Sequence, residues 1–275
     1  MGVIGRDIMD HMAELKSAGE PFAVATVVRT VSVTAAKAGA KAVIRADGSI
    51  SDGWIGGGCA RGAVLKAARE ALADGQPRLV SVSPEDVLKE RGVVAGDTKD
   101  GIKFARNMCP SQGTMDIFVE PVLPRPVLTV CGSSPVALAL LDLAPRFGFA
   151  VTACAPVVEH SAYPPDLPVI DGYALPKIAA NSHYVVVATQ GKGDDAALRG
   201  VLASDAGFTA FVGSRRKMAS LRAALRSTAP QDRLDALQAP AGLDLGAITP
   251  DEIALSILAA MIRHRRLGQR PVGET

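Results

Sequence analysis

The chain has 275 residues, 48% hydrophobic and 21% charged, the make-up of a folded globular protein of about two domains. A net charge of +2 and an aromatic content of 4% supply neither the basic surface nor the stacking platforms of a nucleic-acid binder. No apolar run approaches the roughly 18 residues of a membrane span, and Arg6, Asp7, Asp10, Glu14 and Lys16 rule out a signal peptide, so a cytoplasmic protein that does not engage membranes is expected. Its cysteines, Cys59, Cys109, Cys131 and Cys154, lack C-x-x-C spacing, which argues for free thiols and against a zinc site or redox pair; no metal-ligand set is expected.

Ile4, Ile8, Met12 and Leu15 recur at helical spacing, and that helix should stop at Gly19 and Pro21. Phe22 to Arg29 reads as a buried strand, and Ala40 to Ala46, Asp47-Gly48 and Ser49 to Ile55 read as a hairpin. Between them the loop from Thr30 to Gly39 carries small hydroxyls and Lys37, with Lys41 just beyond. Such a loop either holds an anion or is simply solvated. Gly56-Gly57-Gly58-Cys59-Ala60-Arg61 then precedes a helix that buries Val64, Leu65, Ala68 and Leu72 and closes at Gly75.

Three glycines in a row carry a cost in chain entropy, so the backbone there needs positive φ or a close approach to something. A cysteine at a helix start, with Arg61 nearby, stands where amide dipoles favour negative charge, which suits a reactive thiolate; the bland alternative is a small buried hydrophobe. Arg78 to Ser83 reads as a strand, and Ser83-Pro84-Glu85-Asp86 opens a short helix. From Gly92 to Gln112 periodicity fades, which predicts a ligand-covering loop that delivers Cys109 ahead of the strand Thr114 to Glu120 and toward Cys59.

Three prolines between Glu120 and Pro126 mark a stiff connector, so the chain divides into a mixed α+β domain (1–120), a linker (121–126) and a second domain (127–275). The second domain opens with an apolar strand at Val127 to Cys131, a turn at Gly132, Ser133 and Ser134, and a helix whose start is marked by Ser134-Pro135. Amides and the helix dipole at such a turn favour an anion.

Against the fingerprint G-x-G-x-x-G/A, Ser134 replaces the second glycine, and Ala155 stands where an acid should end the second strand, Phe149 to Cys154. Both departures disfavour NAD. Tyr184 to Thr189 and Phe208 to Gly213 are continuous apolar strands of a parallel sheet, alternating with helices at 194–203 and 215–226. Thr189, Gln190, Gly213, Ser214, Arg215 and Arg216 fall at strand ends, where a doubly wound fold binds ligands, and the arginines there either clamp phosphate or line a solvated helix. Thr249-Pro250-Asp251-Glu252 caps a last helix burying Ala254, Ile257, Leu258 and Met261, expected to pack on the first domain or a second subunit. Arg263 to Arg266 reads as a solvated basic end.

FAVATVVRT with Gly39-Ala40-Lys41, the GGGC segment, IFVEP, the glycine turn, FVGSRRK and APAGLDLGAITPDEIALSILA together resemble the XdhC/CoxI family, CoxF-like members included. These are accessory proteins that mature molybdenum hydroxylases such as xanthine and carbon monoxide dehydrogenases. The resemblance implies an α/β chain with a Rossmann-like second domain, and an accessory chaperone more than a metabolic enzyme. It would bind the molybdenum cofactor (molybdopterin cytosine dinucleotide) or FAD, assist sulfuration and metal-site assembly, and deliver to an apo-molybdenum hydroxylase, with a sulfurtransferase as second partner and a homodimer as the assembly.

By that resemblance Cys59 and Cys109 do the chemistry. Lys37, Lys41, Gly56, Gly57, Gly58, Arg61, Gly132, Ser133, Ser134, Thr189, Gln190, Gly213, Ser214, Arg215 and Arg216 would hold the cofactor. The chain departs from the family pattern at Arg61, where many members have glutamate, at Pro135 in place of histidine, at Ala155 in place of aspartate, and in QGKGD, which lacks histidine. The alternative reading is an FAD- or NAD-binding oxidoreductase.

Overall fold

A computed structural model describes residues 7–110, 112–227 and 229–267. Ile4, expected in the first helix, lies outside them. The chain divides into two compact units between Pro124 and Arg125.

In the first unit, α1 (Ile8–Ser17) is capped by the Asp7 side chain and leads to β1 (Phe22–Val31), β2 (Lys41–Arg45) and β3 (Ile50–Gly53). Then come α2 (Gly58–Asp74), β4 (Arg78–Ser83), α3 (Glu85–Glu90), β5 (Thr98–Lys99), β6 (Ile102–Arg106) and β7 (Thr114–Val122). The seven strands form one mixed sheet in the order β3-β2-β1-β7-β4-β6-β5. The alanine-rich stripe of α2 (Ala60, Val64, Ala67, Ala68, Ala71) is buried on it beside Val27, Val80 and Ile117. Small side chains let helix and sheet approach closely, and Gly75 ends the helix in left-handed backbone (φ 72°). Leu15, Phe22, Val24 and Val43 form a second small core.

The segment 92–112 is not the structureless loop its composition suggests. β6 pairs in parallel with β4, and β5 turns back on β6. Only Ile102 and Phe104 carry the alternation, too short a run to read before a neighbouring strand defines it.

The second unit runs β8 (Val127–Cys131), α4 (Pro135–Leu143), β9 (Ala150–Ala155), β10 (Val169–Asp171), β11 (His183–Val187), α5 (Asp194–Leu202), β12 (Phe208–Phe211), α6 (Arg215–Leu225), α7 (Gln231–Ala236) and α8 (Pro250–Arg266). Its sheet is parallel throughout, in the order β10-β9-β8-β11-β12. α4 and α8 cover one face through Leu140, Ile257, Leu258 and Met261; α5 and α6 cover the other through Leu198, Val201, Met218 and Leu225. This is the doubly wound α/β architecture. Among the described residues no helix is long and apolar enough to cross a membrane.

The last helix packs on α4 within its own unit, and Arg263 to Arg266 form its final turn, with Arg263, His264 and Arg266 exposed and Arg265 half-buried. His264 meets the rings of Tyr184 and Phe208 edge-on at 5.9 and 5.4 Å, and the Arg265 guanidinium lies 4.8 Å over the Phe149 ring while donating to the Phe147 carbonyl. A charged sequence run says nothing of the aromatic faces that await it.

Candidate functional site

The glycine loop of the first unit hangs from Ile55, which is fully buried. Gly56 (φ 104°) and Gly58 (φ 51°) hold left-handed backbone. A Cβ at Gly56 would lie 3.6 Å from the side chains of Ala35 and Met115, so the loop beyond β1, the glycine loop and the start of β7 meet at one corner. Around Gly57 nothing stands within 4 Å of the place a Cβ would take, which leaves its backbone open to approach.

Cys59 sits half-buried in the first turn of α2. The Met108 amide donates to its sulfur at 3.4 Å, so Cys109, the next residue, arrives at the same corner with its own side chain exposed. Asn107 braces that arrival: its side-chain amide donates to the Gly113 carbonyl (2.6 Å) and its oxygen accepts the Cys109 N–H (2.9 Å). Beside Cys59 opens a cavity of about 420 Å³, lined by Lys66, Lys103, Phe104, Arg106 and Met108 among others. Lys103 is bound to both oxygens of Glu70 at 2.7 Å, and Arg106 to Glu85 at 2.7 Å. Lys66 forms no ion pair among the described residues, so its charge is free for an entering anion. The pocket thus joins a half-buried thiol, apolar side chains and one lysine outside any ion pair among the described residues.

Lys37 is exposed, and Lys41 points from β2 to donate to Thr26 at 2.9 Å; neither lines this cavity. Arg61 is exposed on the first turn of α2.

In the second unit the strand order reverses between β8 and β11, the switch point at which such sheets bind ligands. Gly132 (φ 101°) stands there, and a Cβ on it would fall 2.6 Å from Thr189 Cα. Only glycine lets the two strand ends close together. Ser134 caps α4 by accepting the Ala137 N–H at 3.2 Å, and Ser214 caps α6 by accepting the Lys217 N–H at 3.2 Å. Gly132, Ser133, Ser134, Thr189 and Gln190 therefore gather on one rim, with Gly213 to Arg216 at the next strand end. Arg215 and Arg216 are exposed and form no ion pair among the described residues.

Two carboxylates at this rim escaped the sequence reading. Glu159, on a 3₁₀ turn (Val157–Ala162) after β9, accepts the Ser133 hydroxyl at 2.5 Å. Asp194, buried at the start of α5, accepts from the Thr189 hydroxyl and from the Gly191 amide (3.1 Å) and pairs with Lys217. Burial works against its charge, but the bonds from Lys217, Thr189 and Gly191 outweigh it and hold its carboxyl below the ordinary range. The Lys217 charge is thereby committed to Asp194 and is not free for phosphate. An acid three residues past Gly191 was the available signal for Asp194; for Glu159 there was none, because it sits four residues beyond the strand end.

Cys131 and Cys154 face each other in register at the ends of β8 and β9, both buried. The hydrogen bond with Cys154, together with burial, pushes the Cys131 thiol up, the behaviour of packing sulfur. A further cavity of about 640 Å³, lined by Arg199, Asp205 and Arg233, lies by the turn into β12, at the amino end of that strand and away from this rim.

Residues 15–83 match the model of the XdhC and CoxI family, and residues 128–261 match the XdhC Rossmann domain. The chain belongs to the XdhC and CoxI family. It is 28% identical over 267 residues to the uncharacterized protein YqeB of Escherichia coli strain K12, a match covering 94% of this chain and 46% of that protein. The chain therefore spans about half the length of the curated relative it matches. It is also similar to a solved structure of a protein described as a xanthine dehydrogenase from Bacillus halodurans, at 18% identity and a TM-score of 0.45, covering 97% of each chain. The XdhC and CoxI match takes in the glycine loop, Cys59 and Lys66 but not Lys103, Arg106, Met108 or Cys109, and the XdhC Rossmann match runs from β8 into α8 and takes in the rim of the second unit.

Proposed function

We propose that this XdhC/CoxI-family chain is a maturation factor for a molybdenum hydroxylase of the xanthine or carbon monoxide dehydrogenase type. Its first unit handles sulfur at Cys59, and its second grips the nucleotide end of the molybdenum cofactor or of a related dinucleotide such as FAD. The observation that carries the reading is the half-buried Cys59 sulfur beside a cavity with cationic side chains, joined by the Met108 amide. That amide fixes the sulfur at the mouth of the cavity, where a partner can reach it.

The sulfur step is an exchange. The Cys59 thiolate attacks the outer sulfur of a persulfide presented by a sulfurtransferase, the donor's S–S bond breaks, and the donor leaves as its thiolate. Cys59 then carries the persulfide, and Lys66 neutralises its charge. Cys109, the exposed thiol that follows Met108 in the same unit, is the one to receive that sulfur or to join Cys59 as a soft ligand pair. On the second unit, the amides of Ser133 and Ser134 at the start of α4 and the uncommitted Arg215 and Arg216 suit a diphosphate, while glycine at position 132 lets the ends of β8 and β11 close together beneath it.

The test is co-production with an apo-hydroxylase client. Cys59→Ser is expected to leave the melting temperature unchanged and to yield a client depleted in activity and in cyanide-releasable sulfur; a fully active client removes Cys59 from the mechanism. Light scattering of the same preparation checks the expected homodimer.

A further inference from the structure

Where a doubly wound domain binds a dinucleotide, an acid at the end of its second strand ordinarily holds the ribose hydroxyls. Here that position is Ala155. The chain instead continues through Pro156 into the 3₁₀ turn Val157–Ala162, and this turn carries Glu159 back to the glycine turn, where it accepts the Ser133 hydroxyl at 2.5 Å.

The turn that bears Glu159 is fixed from both sides. Asp171, at the end of β10, accepts the Val157 amide at 3.1 Å, and the His160 ring bonds the Ala155 carbonyl at 2.9 Å. The carboxylate is only half-buried, so a second acceptor position remains open to a ligand. Nearby, Tyr163 is 7% exposed and its hydroxyl has no hydrogen-bond partner, a buried donor left unmatched beside the Glu159 charge. Such orphans are rare in a finished core and common where a ligand supplies the partner.

Charge is divided along the rim to match. The carboxylate follows β9, on one side of β8, while Arg215 and Arg216 follow β12, beyond β11 on the other side. An acid on the diphosphate itself would repel it. An acid displaced toward β9 meets what lies next along a nucleotide, the ribose diol.

From this arrangement we infer that Glu159 is the ribose ligand of the second unit, standing in from a 3₁₀ turn for the missing strand-end acid. It selects ribonucleotides with a free 2′-hydroxyl and rejects those with a 2′-phosphate. The inference rests on the nucleotide-binding reading of that unit and names the residue that sets its specificity. A ribose hydroxyl donates to Glu159 Oε1 while the Ser133 hydroxyl stays on Oε2 and holds the carboxylate in place.

The test is calorimetric titration of the full chain with ADP and CDP, and with their 2′-deoxy and 2′-phospho forms. The wild type is expected to prefer ADP or CDP over the 2′-deoxy form by about tenfold, the worth of one hydrogen bond to a charged group. Glu159→Ala should bring that ratio close to one and admit the 2′-phospho form, while Ser133→Ala keeps the preference. A melting curve that overlays the wild type establishes that Glu159→Ala is folded. If the preference survives in Glu159→Ala, or vanishes equally in Ser133→Ala, Glu159 does not hold the ribose, although binding of ADP or CDP still supports a nucleotide site. If the wild type binds neither ADP nor CDP, both the site and the role of Glu159 are overturned.

Discussion

Both units set glycine before a helix, yet for opposite physical reasons. At Gly57 the space above the backbone is empty, so the residue leaves room for something that comes from outside. At Gly132 the space is already filled by Thr189 and Ala188, so the residue lets the protein touch itself. The first unit correspondingly offers side chains, a thiol and lysines around a cavity, whereas the second offers backbone amides and serine caps at the ends of strands. A glycine-rich stretch thus marks either a vacancy or a crossing, and only the neighbours tell which.

Substitution separates the two most sharply. Gly132→Val forces a branched side chain into Thr189 at a positive φ and should cost about 4 kcal/mol of stability, read by denaturant titration. Gly57→Ala, in open space at φ −104°, should cost less than about 1 kcal/mol. Equal losses would erase the distinction.

The thiols sharpen it next. Near neutral pH, Cys59 and Cys109 should react with iodoacetamide about a hundredfold faster than Cys131 and Cys154, which are fully buried and reachable only by opening. Peptide mass mapping over time measures the ratio.

Asp194→Asn should remove about 2 kcal/mol at neutral pH, because a buried acceptor of three bonds loses its charge. The Asp194 carboxyl is held below its ordinary range in the folded state, so its contribution is complete above the unfolded value of about 4 and fades as pH falls through the folded one. Thermal melts from pH 7 down to pH 2 should show this acid-dependent loss in the wild type and not in the variant. Glu70→Gln, at the partly exposed pair with Lys103, should have the smallest effect, about 0.5 kcal/mol, and that effect should shrink in high salt.

What the sequence made legible was whatever local chemistry determines. Ser134-Pro135 and Thr249-Pro250-Asp251-Glu252 announced their helices because a cap is written in adjacent residues. The strands at Val127, Tyr184 and Phe208 announced a parallel sheet because they are apolar on both faces. Hidden were features created by distant parts of the chain meeting. β6 takes its place from β4, the basic run at the end of α8 finds rings from β11 and β12, and Lys217 meets Asp194. The cavity beside Cys59 needs Lys66 from a helix and Lys103 and Arg106 from a strand, and no spacing rule joins those numbers.

The Arg265 contact with Phe147 joins residues 118 positions apart, and α8 supplies Ile257, Leu258 and Met261 to the core under α4. On the ribosome, then, the second unit has one wall missing until about residue 265 has left the exit tunnel. The first unit's sheet is complete once β7 has emerged. The two halves of this polypeptide therefore mature at different times during synthesis, with the half that carries Cys59 and Cys109 ready first.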